Sequence, residues 1–219
     1  WPRIMPTGTG AVNEEGILFY SELIDELLAN DITPWITLYH WDLPLALQME
    51  KDGWLNPEIA DYFTAYAKIC FERFGDRVKH WITFNEPWVV SILGYGQGLF
   101  APGRISNSEP YLAGHHMLRS HAKTVDLYRR VFQNSQQGVI GITNNCDWRE
   151  PLTNSTEDKD AAERALQFFL AWFADPIYKG DYPTIMKERL GDRLPKFSAD
   201  EKKMITGTSD FFGLNHYTT

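Results

Sequence analysis

Two hydrophobic rhythms alternate along the chain. Ile17, Tyr20, Leu23, Ile24, Leu27 and Leu28 recur at helical spacing and predict a helix running to about Ala29, with Asn13 placed to cap it. Beyond Asn30-Asp31 the pattern becomes β-branched and aromatic, Trp35-Ile36-Thr37-Leu38-Tyr39, and predicts a strand over residues 33–40. Helical spacing returns at Ile59, Phe63, Tyr66, Ala67, Cys70, Phe71 and Phe74, with Asn56 as cap, Pro57 as first helical residue and Gly75 as stop. Strands are predicted at residues 80–85, 139–145 and 211–217. Between them lie helices over 110–132, through Ala161, Leu166, Phe169, Leu170 and Phe173, over 183–190, and from Ser198, where Ser198 and Glu201 have capping-box spacing. The glycines from Gly94 to Gly98 and the run Ala101-Pro102-Gly103-Arg104 read as a shaped loop; they match no dinucleotide or phosphate-loop fingerprint.

Strands alternating with amphipathic helices predict an α/β fold on a parallel sheet. The strand starts are bland and the strand ends are not: His40-Trp41-Asp42, Asn85-Glu86-Pro87-Trp88, Asn144-Asn145 and Asn215-His216-Tyr217. Several decorated C-terminal strand ends fit an α/β barrel, whose chemistry sits on that face, better than a doubly wound sheet with one phosphate-binding glycine turn. No linker and no internal repeat divides residues 1–219, so the expectation is a single incomplete barrel domain with no second domain.

Composition narrows the partners. With 43% hydrophobic residues, 219 residues carry enough apolar material for a sizeable core. A net charge of −8 and the absence of a long basic run argue against nucleic acid or an anionic membrane as partner. No apolar run approaches the roughly 18 residues of a membrane-spanning helix. Cys70 and Cys146 form neither a disulfide framework nor a metal spacing. His115, His116 and His121 share one helix, but His121 lies about 140° round from His116, so they do not converge on a metal. A lone Asn154-Ser155-Thr156 sequon is weak support for secretion. No signal peptide is visible and a cytoplasmic location is the default expectation, while Trp1-Pro2-Arg3-Ile4 reads as an interior cut.

Brought together, the strand ends offer His40, Trp41, Asn85, Glu86, Trp88, Asn144, Asn145, Asn215 and Tyr217. Amides and imidazoles interleaved with indoles suit a ligand with hydroxyl edges and flat C–H faces, which describes a pyranose. Glycosidic bonds are broken through an oxocarbenium-like transition state by a pair of carboxyl groups, and Glu86 is the candidate acid. That role requires a carboxyl kept protonated by neighbours such as Trp88 and by a second carboxylate.

The motif Thr83-Phe84-Asn85-Glu86-Pro87-Trp88 resembles the acid/base motif of glycoside hydrolase family 1, the β-glucosidase family. Trp1-Pro2-Arg3-Ile4, residues 38–44, Phe100-Ala101-Pro102-Gly103, Phe173-Ala174-Asp175-Pro176 and residues 213–218 resemble further segments of that family in the same order. The resemblance covers essentially the whole chain. It implies a partial (β/α)8 barrel, roughly strands two to six, and retaining hydrolysis of terminal β-D-glucosyl or β-D-galactosyl residues without cofactor or metal. It also implies roles. Glu86 is the general acid/base, Asn85 binds the sugar 2-hydroxyl, and His40 contacts ring hydroxyls with Trp41 shaping the same subsite. Trp88 is the platform towards the leaving group, Tyr217 bonds the nucleophile, and Asn215 is its pocket neighbour, while His216 replaces an aromatic of many relatives.

The departure is an absence. No T-E-N-G motif, which carries the family's nucleophile, occurs in this sequence. Asp42, Asp147 and Asp210 lie near strand ends but read as loop or capping residues. Three functions are therefore weighed: the acid/base part of a β-glucosidase, a non-catalytic sugar-binding half barrel, and a half barrel that self-associates or recruits a complementing fragment through open edges. A 6-phospho-β-glycosidase is the enzymatic alternative.

Overall fold

Each of the first three β-branched runs is followed by a helical stripe, so the chain leaves those strands through helix and returns parallel, as a parallel pair requires. The computed structural model describes all residues, Trp1–Thr219. Helix α1 (Glu14–Ala29) precedes β1 (Trp35–Tyr39). Helix α2 (Leu45–Lys51), a tight turn at Gly53–Leu55 and α3 (Ile59–Phe74) lead to β2 (His80–Asn85). From β2, α4 (Pro87–Val89) widens into a π-helical stretch, Val90–Gly96. There follow α5 (Glu109–Leu127), a second wide stretch at Tyr128–Phe132, α6 (Gln133–Gln136) and β3 (Val139–Asn145). Helices α7 (Thr156–Leu166) and α8 (Trp172–Lys179) are joined by Gln167–Ala171, and α9 (Thr184–Leu190) and α10 (Ala199–Ile205) precede β4 (Gly213–Asn215).

The sheet is all parallel in the order β1-β2-β3-β4. Tyr39 pairs with Phe84, Asn85 with Thr143, and Asn145 with Asn215, which brings all four C-terminal ends to one lip. Four strands form the partial barrel, one fewer than strands two to six would give, because the N-terminal segment adds turns and no strand. Trp1–Met5 forms turns beside them, with the Trp1 indole stacked on Tyr66 at 5.3 Å in an aromatic core that includes Trp54, Phe63 and Phe84. No helix is long and apolar enough to cross a membrane.

Five local expectations change. Helix α3 begins at Ile59 and not at Pro57, with Glu58 in the cap position, and Asn56 Oδ1 accepts from the Glu58 N–H at 2.8 Å in the turn before it. Asn13 does not cap α1 with its side chain; its Nδ2 donates to the Arg3 carbonyl at 2.9 Å, because the N-terminal segment docks there. Only part of the α1 stripe is covered: Ile17 and Ile24 are buried, while Leu23 and Leu28 face outward. The glycines at 94 and 96 lie in helix rather than loop. Pro87 starts that helix, and a Cβ at Gly94 would sit 2.7 Å from the Ala101 carbonyl oxygen, so close packing explains the residue. The last strand is shorter than its sequence pattern, because Asp210 closes the preceding turn onto β3: its N–H donates to the Ile140 carbonyl and its Oδ2 accepts from the Ile140 N–H. The Ser198–Glu201 capping box forms as expected.

Candidate active site

Strand β2 ends at Asn85 because Pro87 has no N–H to continue the ladder. Between them Glu86 takes a left-handed backbone, φ 49°, a conformation that non-glycine residues hold only where their surroundings fix it. The Glu86 N–H is tied to the Thr143 carbonyl on β3 at 2.8 Å. This kink turns the side chain off the strand line towards Asn215 and Tyr217 at the lip. Trp41, at the end of β1, is also left-handed (φ 71°), and its indole N–H donates to the Asn85 carbonyl at 3.0 Å. The Trp41 side chain thus reaches the residue before Glu86 on the adjacent strand end.

Glu86 is buried. Its Oε1 accepts from Asn215 Nδ2 at 2.6 Å and from the Tyr217 hydroxyl at 2.9 Å. The Asn215 amide also donates to Asn85 Oδ1 at 3.1 Å, and Asn85 Nδ2 lies 3.3 Å from His40 Nε2. With Asn85 Nδ2 donating, His40 uses Nε2 as acceptor and presents Nδ1–H as its donor. A chain of side chains therefore links three strand ends, from His40 through Asn85 and Asn215 to Glu86.

The structure brings six of the seven proposed site residues into this chain or its rim: Glu86, Asn85, Asn215, Tyr217, His40 and Trp41. Trp88 lies apart from those hydrogen bonds. Its indole N–H donates to the Phe168 carbonyl at 3.2 Å, and its ring stacks on Phe169 at 4.0 Å. One face of the expected platform is thus occupied by the α7–α8 connection. Among these residues the Tyr217 phenol donates to Glu86. The Glu86 carboxylate in turn holds the Tyr217 hydroxyl above its ordinary pKa.

The other strand-end carboxylates are engaged elsewhere. Asp42 accepts from the backbone nitrogens of Trp1 at 3.0 Å and His40 at 3.3 Å, Asp147 accepts from the Thr218 N–H at 3.3 Å, and Asp210 binds Arg129 as well as β3. His115, His116 and His121 are core histidines bonded to Tyr182, the Trp54 carbonyl and Thr83. No group of three or more His, Cys, Asp or Glu side chains is arranged to hold a metal ion. A cleft of about 670 Å³ is lined by Asp160, Arg164, Asp175 and Arg189 around α7–α9 and does not include Glu86. Sequence reasoning missed Phe168 and Phe169 as partners of Trp88, some 80 residues away, and nothing local signals that contact.

Parallel strands alternating with helices, with polar groups gathered on the C-terminal lip, define this molecule as part of a (β/α)8 barrel. The family model for glycosyl hydrolase family 1 matches residues 1–219. The chain belongs to that family. It is 53% identical to beta-glucosidase 1B of Phanerodontia chrysosporium, covering 100% of this chain and 43% of that protein. It is 52% identical to the human lactase-like protein, covering 100% and 41%. A crystal structure of a rice β-glucosidase superposes with a TM-score of 0.99 at 52% identity, over 100% of this chain and 48% of that one. A mutant of the same rice enzyme, in a covalent complex with Glc, matches equally well at 51% identity, with the same coverage. The chain therefore spans less than half the length of these relatives.

Proposed function

We propose that this chain is the acid/base half of a retaining β-glycosidase site acting on terminal β-D-glucosyl or β-D-galactosyl residues. The observation that carries the reading is the buried Glu86 carboxyl on the lip of β2, with Oε1 taken by two donors. Glu86 protonates the glycosidic oxygen as the bond to the leaving group breaks, then deprotonates the water that releases the sugar. Asn85, at the strand end beside Glu86, binds the 2-hydroxyl. His40 offers Nδ1–H to a ring hydroxyl, and Trp41, about one-third exposed, walls the same subsite. Trp88 borders the leaving group with the face not covered by Phe169. The covalent Glc of the rice mutant supports a glycosyl-enzyme intermediate, whose attacking carboxylate would come from outside these residues.

The test is Glu86→Ala in a full-length protein containing this segment. Hydrolysis of cellobiose, with its poor leaving group, should fall by about 10²–10⁴-fold. Formation of the glycosyl-enzyme from 2,4-dinitrophenyl β-glucoside should be largely spared, and azide should accelerate turnover. Equal loss on both substrates without azide rescue would remove Glu86 from this role.

A further inference from the structure

The resemblance makes Asn215 a sugar-binding neighbour, but its hydrogen bonds leave it nothing to donate. A carboxamide NH2 has two N–H groups. One lies 2.6 Å from Glu86 Oε1 and the other 3.1 Å from Asn85 Oδ1. The backbone behind it is fixed: Asn215 pairs with Asn145 on β3, and its carbonyl accepts from the Cys146 N–H at 3.1 Å. A donor fully committed to two site residues from a paired strand end acts on those residues, not on a ligand.

The two oxygens of Glu86 are correspondingly unlike. Oε1 receives both the Asn215 amide and the Tyr217 hydroxyl, the latter at 2.9 Å, while Oε2 receives no hydrogen bond from the chain. A proton on Oε1 would point a third hydrogen at an oxygen already facing two donors. On Oε2 it meets none. We infer that Asn215 is a positioning residue that fixes the Glu86 carboxyl so that Oε2 carries the transferable proton. This rests on the acid/base reading above and adds to it which oxygen acts and what holds it.

The step is balanced as follows. The Oε2–H proton passes to the glycosidic oxygen as its bond to the sugar carbon breaks, and the electron pair leaves with that oxygen. The sugar carbon is bonded by a carboxylate from the remainder of the barrel. Glu86 is left as a carboxylate, and the charge gathered on Oε1 meets two donors already in place, which costs no reorganisation. In the second half, water bonds to the sugar carbon, the attached carboxylate departs, and the water proton returns to Oε2.

The test uses the full-length protein containing this segment, with Asn215→Ala assayed on cellobiose and on 2,4-dinitrophenyl β-glucoside. If Asn215 positions the acid, kcat/KM for cellobiose falls by about 10- to 100-fold. The dinitrophenyl substrate, whose leaving group needs no proton, loses less than about threefold, with KM little changed. A direct sugar contact would instead lower kcat/KM for both substrates alike, and that result overturns the inference. Should Asn215→Ala fail to fold by circular dichroism, the isosteric Asn215→Asp, which removes both donors, takes its place under the same criterion. Glu86→Ala runs in parallel. If that variant lacks the leaving-group split, the acid/base reading itself has failed; if it shows the split and Asn215→Ala does not, only the positioning role falls.

Discussion

His121 on α5 and Thr83 on β2 meet across a 2.7 Å hydrogen bond between Nδ1 and Oγ1, with both side chains fully buried. The other ring nitrogen faces the Thr208 hydroxyl at 3.1 Å, and Thr208 donates to the Ile205 carbonyl. The imidazole thus ties the strand before Glu86 to the turn before β4. Burial pushes its pKa down to about 3, with the Arg129 charge adding to that effect and the Asp210 carboxylate opposing it.

A pH dependence follows. His121 is neutral when folded and takes up a proton near pH 6.5 when unfolded, so the unfolded chain binds the extra proton between about pH 6.5 and 3. Stability is full above that window and is lost as pH falls through it, by at most about 1.4 kcal/mol per pH unit from this residue. His115, pushed down to about 4 by burial, acts in the same direction. Urea unfolding between pH 7 and 4 should show the decline, with a shallower slope in His121→Gln. An unchanged slope would show that the buried imidazole is not its source.

The Tyr217 phenol gives a second measurement. Its neutral form donates to the Glu86 carboxylate, and its ionised form would face a like charge. Ultraviolet difference titration of the chain against Tyr217→Phe should place this hydroxyl above the ordinary tyrosine value. In Glu86→Gln it should return towards that value. A titration midpoint indifferent to Glu86→Gln would mean that the 2.9 Å contact does not persist in solution.

Packing makes a third prediction. Gly16, in the first turn of α1, lies where a Cβ would stand 2.0 Å from the Arg3 carbonyl oxygen, a backbone atom that cannot swing aside. Gly16→Ala should therefore lower unfolding stability by about 1–3 kcal/mol, despite the better helix propensity of alanine. A neutral or stabilising result in chemical denaturation would show that the N-terminal segment does not hold against α1.

The parts legible in the sequence were those whose signal is local. The runs at Trp35–Tyr39, His80–Asn85 and Val139–Asn145 are strands because β-branched and aromatic residues suit a buried sheet, and Pro87 marks where the second must end. That placed Glu86 on the lip, and the polar ends of the other strands followed by register. The contacts that shape the site were not local. The Trp88 indole is covered by Phe169, the Asn215 amide is divided between Asn85 and Glu86 some 130 residues earlier, and Tyr217 turns to Glu86. Asn13 has the chemistry of a cap, but a nearer acceptor, the Arg3 carbonyl, took its donor. Such choices between competing partners depend on tertiary geometry that residue type does not encode.

The 219-residue chain by itself should not hydrolyse β-glucosides. Retaining chemistry needs two carboxyl groups about 5–5.5 Å apart across the sugar carbon. On the proposed reading Glu86 is one, and the remaining strand-end carboxylates are bonded to the Trp1 backbone nitrogen, Thr218 and Arg129. Loss of a nucleophile costs several orders of magnitude in rate. The same sheet has β1 and β4 as outer strands, with Ile32 and Trp35 about half exposed beside one edge and Phe212 and Leu214 exposed beside the other. Unpaired strand edges flanked by apolar side chains recruit other strands. The purified chain should therefore sediment as a dimer or larger species and show no turnover of an aryl β-glucoside. Mixing it with a polypeptide that carries the remaining strands of a relative should reduce self-association and restore hydrolysis. A monodisperse monomer with ordinary turnover would mean that a second carboxylate within these residues completes the site, and Asp42, Asp147 and Asp210 would be the first to replace with asparagine.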